Sequence, residues 1–178
     1  MKGSVDYIIE NIQKTLKEHS PDTDRFVDMI VGAPRIFIYG VGRSGLIAKA
    51  FAIRLVQMGL EVFFVGETVT PIVGEKDLVI IVSHTGDTMS CVQTANIVRR
   101  VGADVISITS NDHSKLATAS NLVIKIKPKG DEDRKRLAPL GTLFEDAAMI
   151  YLDSIVAQVM ERLGQSEGSM RKRHAIWV

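Results

Sequence analysis

The chain has a single cysteine, almost no net charge and no long apolar run, and each of these absences excludes a class of protein. Cys91 alone cannot form an intramolecular disulfide or a cysteine-based metal cage, which fits a reducing compartment. A net charge of +1 gives no general attraction to nucleic acid or to a membrane surface. No apolar stretch approaches the roughly 20 residues of a membrane span, and the first residues lack the apolar region of a signal peptide. We therefore expect a soluble, cytoplasmic protein whose anion sites are local.

What is present is enough for one domain of ordinary size. The 178 residues are 46% hydrophobic and 24% charged, as in a typical globular protein. We interpret 1–178 as a single domain with N-terminal helices in 1–33, an α/β core in 34–165 and a tail in 166–178. Apolar residues at helical spacing predict the first helix over 4–19, and a capping residue at 22 or 23 predicts the second.

The core alternates short apolar runs with helical patterns. The apolar runs predict strands at 35–39, 61–65, 78–82, 105–109 and 122–126. Helices are predicted at 45–58, 88–101, near 114–119, and at 142–162 after a mixed-charge segment, 127–138, interpreted as a solvated loop. Because parallel strands need crossover connections, this alternation predicts a three-layer α/β/α fold with a five-stranded parallel sheet.

A glycine-rich turn follows the first strand. Gly40, Gly42 and Gly45 form Gly-x-Gly-x-x-Gly at a strand-to-helix junction, where free N–H groups and the positive helix end can face an anion. Arg43 and Ser44 add a cation and a hydroxyl where a dinucleotide-binding loop usually offers bare backbone. This favours a phosphate site, the alternative being a tight turn that needs glycine for steric reasons.

A second polar turn, 83–88, follows the third strand. It offers the hydroxyls of Ser83, Thr85 and Thr88 and the backbone of Gly86 at another helix N-terminus, which suits a phosphate monoester, although one hydroxyl alone could serve as an N-cap. If both turns hold one phosphate, the first and third strands must be neighbours, giving the flavodoxin-like order 2-1-3-4-5. A sugar phosphate then explains the glycines better than a dinucleotide, for which Glu67 could face the ribose.

Glu145 has two interpretations of equal weight. Thr142 and Glu145 have the spacing of a capping box at the start of the last long helix. Glu145 is also in line with Met149, Leu152 and Val156, on the face predicted to be buried. A buried carboxyl group is expected to have a raised pKa, which suits a general base near neutral pH.

The four histidines show no metal-ligand spacing, so no metal site is expected. His84 lies inside the second polar turn and could approach a ligand there. His174 lies in a basic tail, which is either disordered or packed through its apolar residues. His19 and His113 are interpreted as surface residues.

Four motifs together resemble the sugar isomerase (SIS) domain family, most closely its 6-phospho-3-hexuloisomerase members. They are Gly-Val-Gly-Arg-Ser-Gly at 40–45, Ser-His-Thr-Gly-Asp-Thr at 83–88, Pro-Leu-Gly-Thr-Leu-Phe-Glu at 139–145 and Met-Arg-Lys-Arg-His-Ala at 170–175. The resemblance covers essentially the whole chain. The first two motifs are common to the superfamily, and the last two separate these isomerases from other SIS proteins.

The resemblance implies interconversion of D-arabino-hex-3-ulose 6-phosphate and fructose 6-phosphate without a cofactor. This is the isomerase step of the ribulose monophosphate pathway, used in formaldehyde fixation or pentose supply, and it is paired with hexulose-6-phosphate synthase. It implies a homotetramer with active sites at subunit interfaces, to which the tail contributes. Glu145 would be the base, and His174 of the same or a neighbouring subunit an acid/base or carbonyl-polarising partner. The implied phosphate contacts are Ser44, Ser83, Thr85 and Thr88, with Gly42, Arg43 and Gly86.

The chain departs from the family pattern at two places, and two other functions stay open. In the second turn His84, Thr85 and Asp87 replace the usual Gly, Ser and Glu, and 176–178 replace the usual Asn-Leu-Glu after His-Ala.

One alternative function is that of another aldose–ketose isomerase, for example on arabinose 5-phosphate. The other is a non-catalytic sugar-phosphate sensor, although such modules usually accompany a DNA-binding domain, for which this chain has neither room nor basic character.

Overall fold

The computed structural model describes residues 3–18 and 22–174, so His19 and the departures at 176–178 lie outside the described residues. The strands are β1 (Ile36–Gly40), β2 (Val62–Phe64), β3 (Leu78–Val82), β4 (Asp104–Thr109) and β5 (Leu122–Lys125). The helices are α1 (Ser4–Glu18), α2 (Thr23–Gly32), α3 (Gly42–Gln57), α4 (Met89–Val101), α5 (Lys115–Thr118), α6 (Arg134–Leu137), α7 (Thr142–Arg162) and α8 (Glu167–Lys172). None of the described helices is long and apolar enough to cross a membrane.

The strands form one parallel sheet in the order β2-β1-β3-β4-β5, which confirms the predicted topology. β3 lies at its centre, and all five of its residues are buried, because helices cover both faces of a parallel sheet. The starts of β1 and β3 are joined by Arg35, whose Nε and Nη2 donate to the Asp77 carboxylate at 3.0 and 2.6 Å. This pairing helps to fix the register that aligns the carboxyl ends of the two strands.

Alternate residues of each strand face two separate helical layers. Ile36, Ile38 and Ile80 pack with apolar residues of α2, α3 and α7 in the larger core. Phe37 and Val79 point the other way, against α4 and α5. Period-two alternation within continuous apolar runs therefore produces the three layers that the sequence predicted.

Several boundaries differ from the predictions. α3 begins at Gly42 rather than 45, so the glycine-rich turn is part of its first turn. The segment 127–138 is not a loop throughout: it contains α6, and Leu137 and Ala138 are buried with Tyr7 of α1. The prediction of a loop rested on the many charged residues of this segment, but these two apolar residues pack against α1. The tail, for which disorder was one interpretation, contains the helix α8.

Candidate active site

The two polar turns lie side by side at the carboxyl edge of the sheet. Gly40, the last residue of β1, is in register with Val82, the last residue of β3. Gly42 has φ +59°, and a Cβ at Gly45 would lie 2.5 Å from the Gly40 carbonyl oxygen. The steric need for glycine is therefore real, and it brings the first turn of α3, with Arg43, directly onto the end of β1.

The second turn presents hydroxyl groups that its helix does not use. Thr88 is the N-cap of α4, yet its side chain makes no capping hydrogen bond, so the capping alternative is wrong for this residue. Ser83 is buried with its Oγ 3.4 Å from the Thr88 Oγ1, whereas Thr85 and Thr88 are exposed. Gly86 has φ +71°, and a Cβ there would collide with Ser114 at the start of α5. The close contact with Ser114 thus fixes the turn, while Thr85 and Thr88 are exposed.

The capping-box interpretation of Glu145 is wrong. Gly141 is the N-cap of α7, and no side chain caps the helix. Thr142 is the first helical residue, and its hydroxyl donates to the Pro139 carbonyl at 2.6 Å. Because the helix starts one residue earlier than a Thr142 cap would require, Glu145 is left to face the site, with its carboxyl carbon 3.1 Å from where a Cβ on Gly141 would lie.

Glu145 forms an ion pair with Arg43 from the first turn. The Arg43 Nε donates to the Glu145 Oε2 at 2.5 Å, and its Nη2 lies 3.5 Å from the Asp146 Oδ1. The Glu145 side chain is only 10% exposed, whereas that of Arg43 is 61% exposed. The bond to Glu145 raises the pKa of Arg43, and burial raises the pKa of Asp146 despite the nearby guanidinium. The pair therefore joins a largely buried carboxylate to the first polar turn by a charge-assisted hydrogen bond.

This pair was not predicted from the sequence, and no local signal could have revealed it. Arg43 was assigned to the phosphate, and 102 positions separate it from its carboxylate partner. Met149, predicted on the same buried face as Glu145, is 36% exposed, although Leu152 is buried as predicted. Only the contact between α3 and α7 brings the two charges together.

The structure does not bring His174 to Glu145 within one chain. His174 lies beside Gln57 at the C-terminal end of α3, whereas Arg43 and Glu145 meet at its N-terminal end. Fourteen residues at about 1.5 Å each separate Arg43 from Gln57, so the two positions are about 20 Å apart along the helix. Arg173 holds this end of the tail by donating to the Gln57 carbonyl at 3.3 Å and to the Gln165 Oε1 at 3.2 Å.

The remaining candidates occupy distinct places. His84 is half-buried against Phe144, next to Glu145, while the His113 side chain is 92% exposed. Glu67, the candidate ribose contact, instead pairs with Lys49 at 2.8 Å. Within the described parts of the chain no group of three or more His, Cys, Asp or Glu residues is arranged to hold a metal ion.

The chain is similar to known proteins in sequence and in fold. The SIS domain family model matches residues 29–143. A 3-hexulose-6-phosphate isomerase of Methanocaldococcus jannaschii is 37% identical, covering 85% of this chain and 81% of the relative. The Bacillus subtilis protein of the same name is 35% identical over 86% of this chain and 85% of its own. A Methanococcus jannaschii crystal structure, from which a 3-hexulose-6-phosphate isomerase function was inferred, superposes with a TM-score of 0.88 at 34% identity, covering 98% of each chain.

Proposed function

We propose a substrate and a mechanism on one premise: the chain belongs to the SIS domain family, and it is an isomerase. The substrate we propose is D-arabino-hex-3-ulose 6-phosphate, which the enzyme interconverts with fructose 6-phosphate. The observation that supports this most is the buried, ion-paired carboxylate of Glu145 beside two polar turns at the carboxyl edge of the sheet. Open α/β sheets bind ligands at this edge, at the point where the strand order reverses.

The two turns supply the phosphate site in this proposal. Hydroxyl groups and the N-terminal N–H groups of α3 and α4 converge there, and both helices direct their positive ends toward the same edge. Phosphate binding remote from the reacting carbons orients the sugar and contributes binding energy to the transition state. The residues that we assign to this role are Ser44, Ser83, Thr85 and Thr88, with Gly42, Arg43 and Gly86.

Glu145 acts as the base. Its carboxylate removes the proton on C2 of the 3-ketose, giving a cis-enediolate across C2 and C3, and then returns the proton to C3. One hydroxyl proton moves from O2 to O3, so the carbonyl group ends on C2 and all atoms balance within the sugar. The ion pair with Arg43 suits this role, because it holds the carboxylate in a fixed position beside the polar turns.

His174 acts on the substrate of a neighbouring subunit in this proposal, as the acid/base or carbonyl-polarising partner. The roughly 20 Å between the two ends of α3 argues against a role beside Glu145 of the same chain. A homotetramer with active sites at subunit interfaces would supply the missing histidine from another copy. Exposed apolar residues on α3, among them Leu46, Ile53 and Val56, offer surface for such contacts.

Mixing two inactive variants tests this arrangement. Glu145→Gln and His174→Asn are each expected to be nearly inactive alone. Their co-expressed mixture should recover activity in about one site in four, because random assembly pairs an intact Glu145 with an intact His174 at that frequency. The measurement is turnover per site of the purified mixture against each variant. A mixture no more active than its components would contradict action between subunits.

The same proposal places the enzyme in the cytoplasm, in the ribulose monophosphate pathway. There it would take the product of hexulose-6-phosphate synthase, with which it is functionally paired. We propose no nucleic acid or membrane partner.

A second candidate is arabinose 5-phosphate isomerase, because a Pseudomonas aeruginosa enzyme of that name is 26% identical over 76% of this chain, although the chain spans only 43% of it. A substrate panel separates the two. We expect turnover of fructose 6-phosphate to exceed that of arabinose 5-phosphate by at least about 10²-fold in kcat/KM, since a site built for one hydroxyl pattern rejects another. Equal or reversed rates would favour the second candidate, and binding without turnover would favour a sensor.

A further inference from the structure

The chain places one imidazole against the residue that precedes Glu145, without help from another subunit. The His84 ring stacks on the Phe144 ring, with centroids 4.7 Å apart and planes inclined by 19°. Phe144 immediately precedes Glu145 on α7, and the Glu145 charge acts on the His84 imidazole. Among the other described histidines, His113 is on the surface and His174 lies at the far end of α3.

The position of His84 is fixed by its backbone as well as by its ring. Its carbonyl oxygen accepts hydrogen bonds from the Ser110 N–H at 2.9 Å, the Ser110 hydroxyl at 2.8 Å and the Thr109 hydroxyl at 3.1 Å. Three donors from the end of β4 therefore hold a residue that Phe144 also contacts. Such preorganisation is what a group acting on a substrate requires.

His84 also has open space beside it. It lines a cavity of about 150 Å³ whose wall includes Ser110, Lys127, Arg134 and Phe144. The volume suffices for water or for part of a small polar ligand. His84 is thus half-buried and borders a space that a small polar group can enter.

The surroundings of His84 favour the neutral imidazole. Burial lowers its pKa below the ordinary value, Arg134 lowers it further, and Glu145 opposes them. A neutral imidazole has one N–H donor and one acceptor nitrogen, so it can both give and take a proton near pH 7.

We propose that His84 is a further catalytic residue, which transfers the hydroxyl proton between O2 and O3 in the subunit that holds Glu145. This role rests on the proposed function. The imidazole N–H gives its proton to O3 as the enediolate forms, and the same ring regains a proton from O2–H as the carbonyl forms on C2. His174 of a neighbouring subunit is then left with polarising the carbonyl.

His84→Asn tests the proposal, with His113→Asn as the matched control. We expect kcat to fall by about 10²-fold, the lower end of the range for acid–base groups, since Glu145 remains. KM and the inhibition constant for inorganic phosphate should stay within about twofold of the wild-type values. The melting temperature should change by no more than a few degrees. His84→Gln serves as a second variant should Asn impair folding.

The pH profile provides a second readout. Because the neutral ring is the active form, kcat of the wild type should fall as pH drops through the lowered pKa of His84. His84→Asn should lack that acidic limb, whereas His113→Asn should keep it.

The outcomes are distinguishable. Wild-type kcat in His84→Asn, or weakened phosphate inhibition with normal kcat, would overturn the role of His84, the latter making it a phosphate ligand. A wild-type enzyme that does not turn over fructose 6-phosphate would overturn the proposed function, and this role with it.

Discussion

Glu145→Gln is expected to lower kcat by about 10²–10⁴-fold, the usual contribution of a general base. Glutamine has nearly the same shape, and its amide oxygen can still accept from the Arg43 Nε, so α3 and α7 should stay in contact. It cannot accept the proton from C2. The affinity for fructose 6-phosphate, measured by its effect on the melting temperature, should therefore be nearly unchanged.

Asp153→Asn is the matched control for this variant. Asp153 lies on the same helix as Glu145, but its side chain is exposed and away from the polar turns. The substitution removes one carboxylate from α7 without changing the site, so kcat should stay within about twofold of the wild-type value. If Glu145→Gln kept wild-type kcat, Glu145 would not be the base.

Gly45→Ala is expected to destabilise the fold by about 1–3 kcal/mol or more and to remove most of the activity. The added Cβ would lie 2.5 Å from the Gly40 carbonyl oxygen and 2.9 Å from its carbonyl carbon. Both are backbone atoms at the end of β1, so no side-chain rotation can relieve the clash. Either the strand end or the first turn of α3 must move, and Arg43 would then move away from Glu145.

Urea denaturation of the variant measures this effect, with Gly32→Ala as control. Gly32 ends α2, and a Cβ there has nothing within 4 Å, so alanine should be neutral or slightly stabilising. A Gly45→Ala protein as stable and active as the wild type would mean that the close contact between the turn and β1 is not required.

Much of the fold followed from patterns that are local in the sequence. The apolar runs located the strands because each strand of a doubly covered sheet must be buried on both faces. The strand order followed from a functional argument, since two turns that hold one phosphate must leave neighbouring strands. The observed pairing of Gly40 with Val82 satisfies that requirement.

The site was less predictable because its geometry depends on contacts distant in sequence. Whether Glu145 capped its own helix or faced the site depended on a one-residue difference in where α7 begins. Its pairing with Arg43 depended on how α3 packs against α7. The distance of His174 from Glu145 followed from the attachment of the tail to the far end of α3, which a pattern of residue types does not specify.

A coupled assay tests the central claim most directly. Hexulose-6-phosphate synthase would supply the 3-hexulose 6-phosphate, and the appearance of fructose 6-phosphate would be followed with the wild type and Glu145→Gln. We predict rapid formation by the wild type and a rate at least about 10²-fold lower with the variant. If the wild type formed no fructose 6-phosphate while that sugar still raised its melting temperature, the phosphate site would be real and the isomerase assignment to this substrate would be contradicted.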